Sequence, residues 1–102
     1  MPLALHVSRR AAREIERIVE WWAANRPAAP GAVRHDLEAT IRLLLVQPGI
    51  GARVEQASSP DVRRFHVDRI RYWVYYRVRQ DRLELLSVWH SSRERNPAVW
   101  LG

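Results

Sequence analysis

Apolar and polar residues alternate at the start of the chain. Leu3, Leu5 and Val7 share one side, the two-residue period of a short strand. The period then changes. Ala11, Ile15, Ile18 and Trp22 recur at helical spacing, Val19 widens the stripe, and Ser8 stands where a helix N-cap belongs. Asn25-Arg26-Pro27 ends this helix, since proline cannot continue it. After the short link Ala28-Ala29-Pro30-Gly31, Val33, Leu37, Ile41, Leu44 and Leu45 form the stripe of a second helix over 32–46, which Gln47-Pro48-Gly49 stops. Two amphipathic helices on so short a link predict a helical hairpin.

Residues 49–60 read as loop, with an extended piece around 52–55. Three strands follow. Over 62–67, Phe65 and Val67 lie on one side and Arg64 and His66 on the other. Asp68-Arg69 is a tight turn. Over 70–79, Ile70, Tyr72, Val74, Tyr76 and Val78 share one face, and Arg71, Trp73, Tyr75, Arg77 and Arg79 share the other. Gln80-Asp81 makes a second tight turn. Residues 83–90 are apolar on both faces, as a central strand requires, and their register is left open by that same property. Turning Leu86, Val88 and His90 towards the helices puts Leu85, Ser87 and Trp89 on the opposite face.

The order β-α-α-β-β-β predicts an α+β domain, an antiparallel sheet with the N-terminal helical hairpin packed on one face. A chain of 102 residues makes one domain, 1–102, with 91–102 as a C-terminal tail. With 47% hydrophobic and 27% charged residues it is a folding composition. No apolar run reaches the length of a membrane span, and the first ten residues are too short and too soon charged for a signal peptide. The absence of cysteine excludes disulfides, zinc-thiolate sites and thiol catalysis, and suits a cytoplasmic location.

Charge changes the picture. Seventeen basic residues, all arginine, face eleven acidic ones, a net charge of +6. Such a chain seeks a polyanion or an acidic protein. The sheet face turned away from the helices collects Arg64, Arg71, Trp73, Tyr75, Arg77 and Trp89. Surfaces of arginine and aromatic rings bind nucleic acid by phosphate contact and base stacking, and bind protein because the same residues dominate interface hot spots. The alternative is that loop 49–60 or the tail with Trp100 covers Trp73 and Tyr75 as a satellite core.

No HExxH, GxSxG, P-loop or Rossmann glycine pattern occurs. His6, His35, His66 and His90 lack metal-ligand spacing, so neither a metal nor a cofactor is expected. A general acid–base role is conceivable for His66 or His90, which lie on strands near Arg64 and Arg93.

Val62-Arg-Arg-Phe-His-Val67, then Tyr72-Trp-Val-Tyr-Tyr-Arg77, then Leu85-Leu-Ser-Val-Trp-His90 followed by Arg93, resembles the RelE/ParE superfamily of toxins from type II toxin–antitoxin systems. The helical hairpin with Ala11, Ile15 and the Trp21-Trp22 pair extends the likeness to nearly the whole chain. The resemblance implies a small basic cytoplasmic protein that arrests growth, neutralised by an acidic cognate antitoxin in a hetero-oligomer. It implies one of two targets. The RelE-like branch cleaves messenger RNA on the ribosome; the ParE-like branch inhibits DNA gyrase and is not a nuclease.

The sequence leans to the ParE-like branch. RelE-like nucleases use a C-terminal Tyr with several basic residues, or a Glu–His–Tyr set, whereas here no Tyr follows Tyr76. A nuclease would have to use His90, Arg77, Arg64 and Arg93, which supply a cationic clamp without an evident acid–base pair. Arg64, Arg71, Trp73, Tyr75, Arg77, Trp89 and Arg93 are the residues expected to meet antitoxin or target. A module that binds single-stranded nucleic acid, without toxicity, is the reading from another class.

Overall fold

The computed structural model describes residues 2–29, 31–55, 57, 59 and 61–93. The first strand, β1 (Ala4–Val7), hands directly to helix α1 (Arg9–Asn25). Ser8 makes the junction. Its backbone is extended and its hydroxyl accepts the Ala11 amide at 3.1 Å, satisfying a donor that the first helical turn leaves unpaired. The same hydroxyl donates to the Leu86 carbonyl at 3.1 Å, which pins the helix start to the last strand. The Arg26 amide closes α1 on the Trp22 carbonyl just before Pro27. Helix α2 (Ala32–Val46) has the predicted limits, and a 3-10 turn, Pro48–Ile50, follows it.

The other strands are β2 (Ala52–Arg53), β3 (Arg63–Val67), β4 (Tyr72–Arg79) and β5 (Arg82–His90), in the sheet order β1-β5-β4-β3-β2. The expected antiparallel pairing holds from β2 to β5, but β1 runs parallel to β5, so the sheet is mixed. β5, the strand apolar on both faces, is interior as its pattern required. The helices bury their stripes on one face. Ala11 and Ile18 of α1 and Val33, Leu37 and Leu44 of α2 pack with Val67, Tyr72, Val74, Tyr76, Leu83, Leu85 and Val88 of the sheet. Burial of this kind contributes roughly 1.5–3 kcal/mol per large side chain and is the main force holding the hairpin to the sheet.

Two local departures decide what faces where. Tyr75 stands opposite Ser87, yet Tyr76 stands opposite Leu85, so Leu86 is an extra residue in β5. This bulge resets the alternation. Leu85 is therefore in the main core rather than on the far face, and Leu86 is packed with the far-face cluster rather than against the helices. The second departure is at the start of β4. Ile70 and Arg71 were expected in the strand but lie in a turn closed by the Arg71 amide on the Val67 carbonyl at 2.8 Å, with Arg71 at φ 62°. The turn demands a left-handed residue at its end, and arginine fills it at a cost of roughly 1–2 kcal/mol. The Arg71 carbonyl is held by the Ser91 amide and hydroxyl.

Candidate functional site

The sheet face away from the helices is built on Tyr75, which is 1% exposed. Val54 and Val62 close over it, with Ala57, Trp73, Leu86 and Trp89 partly buried around them. The Val54 amide meets the Val62 carbonyl at 3.0 Å and draws the loop onto the sheet. For Tyr75 the satellite-core alternative is thus what the fold contains: it supports this face from beneath and is not presented to a partner. Trp73 and Trp89 are opposite one another across β4 and β5 and form the rim.

Each rim tryptophan carries an arginine. The Arg64 guanidinium lies 4.0 Å from the centre of the Trp73 ring, and that of Arg93 lies 4.1 Å from the centre of Trp89. Such stacking is attractive and leaves the edge donors of the guanidinium available to an anion. His66 sits on the same face, 4.6 Å from Trp73 between ring centres, with Nδ1 on the Asp68 carboxylate. Further along, Arg77 Nε donates to Glu84 Oε1 at 2.6 Å from the facing position of β5, and Arg82 reaches the other oxygen at 3.4 Å. The hydrogen bond from Arg77 holds the Glu84 carboxyl below the usual carboxylate range, against the opposing effect of its burial. Arg77 is therefore committed to an ion pair within the sheet.

Of the residues named for a nuclease, His90 and Arg93 line one hollow beside α1, but Arg64 and Arg77 do not reach it. Arg64 and Arg77 belong to the face away from the helices. His90 stands opposite Tyr72, a residue of the helix-side core, and its ring meets that of Tyr72 edge-on at 5.0 Å between centres. His90 Nδ1 is engaged with Ser92, whose amide donates to it at 3.1 Å. Arg71 is also separated from the rim: it lines a hollow with Trp21, Trp22 and Arg26 beside α1. Trp100 lies outside the described residues. Among the described residues no group of three or more His, Asp or Glu side chains is placed to hold a metal, and no helix is long and apolar enough to cross a membrane.

Trp21, Glu14 and Tyr76 were given no site role from sequence. Trp21 is 49% exposed, off the apolar stripe of α1, where helical spacing already placed it. Glu14 reads in sequence as a surface partner for Arg10. In the fold its Oε1 accepts the Ser87 hydroxyl at 2.8 Å and the Val88 amide at 3.1 Å, capping the edge of β5 beyond the end of β1. Tyr76 Oη donates to the Pro48 carbonyl at 2.7 Å and accepts the Gly51 amide at 2.9 Å. Burial raises its phenol pKa, so the anchor is a neutral hydroxyl. Both of these last contacts link distant parts of the chain, which local pattern does not reveal.

A helical hairpin on one face of a five-stranded sheet is the architecture that the sequence resemblance implied. The chain belongs to the ParE toxin family: the model of the ParE toxin of the type II toxin–antitoxin system parDE matches residues 5–95. Among solved structures it is similar to a chain of the chromosomal ParDE toxin–antitoxin system from P. aeruginosa, with a TM-score of 0.69 and 19% identity over 86% of this chain and 95% of that one. At that identity the likeness is one of fold. No relative among proteins of curated function matches the sequence.

Proposed function

We propose that this protein arrests growth by inhibiting DNA gyrase and is held inactive by an acidic cognate antitoxin. The observation that carries the choice of target is the dispersal of the candidate nuclease residues. Cleavage of RNA through a 2′-hydroxyl needs a base, an acid and a cationic clamp around one phosphate. His90 is opposite Tyr72, Arg77 is paired with Glu84 and Arg64 is stacked on Trp73, so these groups do not surround a common point. Membership of the ParE family supports the same branch.

The antitoxin meets the rim made by Arg64, Trp73, Trp89 and Arg93. Acidic side chains of the partner relieve the repulsion among the arginines while its apolar side chains cover the rings, the pairing that concentrates interface energy in buried aromatic and arginine anchors. Tyr75 supports this surface from below, and Arg77 lies at its edge in its ion pair. The experiment is induced expression with and without the neighbouring acidic reading frame. Growth stops without the partner and resumes with it; unimpaired growth with confirmed folded protein overturns the reading.

A further inference from the structure

Three neighbouring hollows that share lining residues follow one another along α1 and form a shallow groove in outline. The first lies between Arg10, Arg13, Glu14 and Arg17 and measures ≈ 260 Å³. The second shares Glu14 and Arg17 with it, continues to Trp21, Tyr72 and His90, and measures ≈ 230 Å³. The third shares those three rings and opens beside Trp22, Arg26 and Arg71, with a volume of ≈ 420 Å³. Glu14 is the only acidic residue lining the groove, among the described residues, and its Oε1 is turned to Ser87 and Val88.

The arginines of this groove stand where local rules disfavour them. The first turn of α1 holds Arg9 and Arg10 and no acidic residue, so cations occupy the positive end of the helix dipole. Arg9–Arg13 and Arg13–Arg17 are like charges one turn apart. Arg71 sits at φ 62°, a conformation suited to glycine. Arginines placed against helix dipole, neighbouring charge and backbone preference converge on one surface, and such conflicts concentrate at functional sites.

We propose that the groove binds single-stranded nucleic acid, its phosphates on the arginines of α1 and a base against Trp21. From Arg10 to Trp21 the helix runs about 16 Å, long enough to follow several phosphates of a single strand. A charged groove that tracks a backbone beside exposed rings is how sequence-tolerant single-strand binding is built. Trp21 is half exposed, with Arg26 5.9 Å from its centre and the edge of Trp22 against it. An acidic peptide would satisfy the arginines alone; nucleic acid brings a flat ring with each phosphate. The groove adjoins the rim at Arg93, which lines the middle hollow and stacks on Trp89, whereas Arg64 and Trp73 lie outside it, and the proposal does not depend on gyrase being the target.

The test is fluorescence anisotropy of a labelled twelve-nucleotide oligothymidine with the purified protein across a salt series. Binding weakens with salt. Arg13→Gln with Arg17→Gln reduces the slope of log K against log salt by about 1.4, two phosphate contacts on a single strand. Trp21→Ala lowers affinity about tenfold. Arg71→Gly lowers affinity while its melting temperature equals or exceeds that of the parent, because the backbone strain is removed. Oligouridine binds as well if the site takes RNA, and the tighter of the two names the natural ligand. The proposal is overturned if binding is absent at low salt. It is also overturned if Trp21→Ala binds like the parent, or if oligoglutamate of equal charge competes as well as oligothymidine, which would assign the groove to an acidic protein.

Discussion

The Gly51 amide donates to the Tyr76 hydroxyl at 2.9 Å, joining the segment after α2 to the middle of β4. A Cβ at position 51 would lie 2.3 Å from the Tyr76 oxygen and 2.9 Å from the Arg64 carbonyl, so glycine is required here by space. Gly51→Ala is expected to destabilise the fold by about 1–3 kcal/mol, the usual cost of overpacking. Tyr76→Phe removes the bonds to Pro48 and Gly51 and leaves the buried Gly51 amide unpaired, at about 1–3 kcal/mol. Urea denaturation of both variants measures this. A midpoint equal to the parent's for Gly51→Ala would contradict the packing described.

Glu84 ties acid stability to the β4–β5 ladder. Its folded pKa is lowered chiefly by Arg77, so its contribution is complete above the unfolded value of about 4.3 and is lost as pH falls through the folded value. The difference in urea midpoint between the parent and Glu84→Gln should therefore be largest near neutral pH and shrink towards pH 3. A difference that grows on acidification contradicts the assignment.

Glu14 guards a strand edge. With its carboxylate gone, the Val88 amide and the Ser87 hydroxyl lose their partner, and an open β5 edge invites pairing with another chain. Glu14→Ala should cost about 1–3 kcal/mol and increase self-association in light scattering. A monodisperse variant of parental stability would show that the contact is dispensable.

Much of this architecture was legible in the chain. Ser8, Pro27 and Pro48 marked the helix ends because capping and proline chemistry act within a few residues. The apolar character of residues 83–90 announced an interior strand. The bulge at Leu86 was not legible, since both faces of β5 are apolar and either register satisfies the pattern. Arg71 was misplaced because alternation from Ile70 continues unbroken into β4, while the turn that excludes both residues is set by a backbone bond to Val67. Of the candidate surface, Trp73 and Arg64 fall together as strand alternation suggested, and Trp89 and Arg93, which alternation left open, join them. Tyr75 does not join them, because the loop that covers it is fixed by a contact between Val54 and Val62 rather than by local sequence.

The rim makes a direct prediction about the antitoxin. Trp73→Ala should weaken the complex by about 2 kcal/mol, roughly 30-fold. Arg34→Ala, an exposed residue on α2, should change it by no more than about 1 kcal/mol, the value of an exposed ion pair. Calorimetric titration of both variants decides it. Parental affinity in a folded Trp73→Ala variant would move the antitoxin elsewhere on the molecule.

The target is tested most directly by adding the purified protein to two reactions in parallel, gyrase supercoiling of relaxed plasmid and translation of a ribosome-bound message. Supercoiling should be lost while the message stays intact, and added antitoxin should restore supercoiling. Undiminished supercoiling, together with message cleavage that disappears in His90→Ala or Arg77→Ala, would contradict gyrase as the target and make the protein a nuclease.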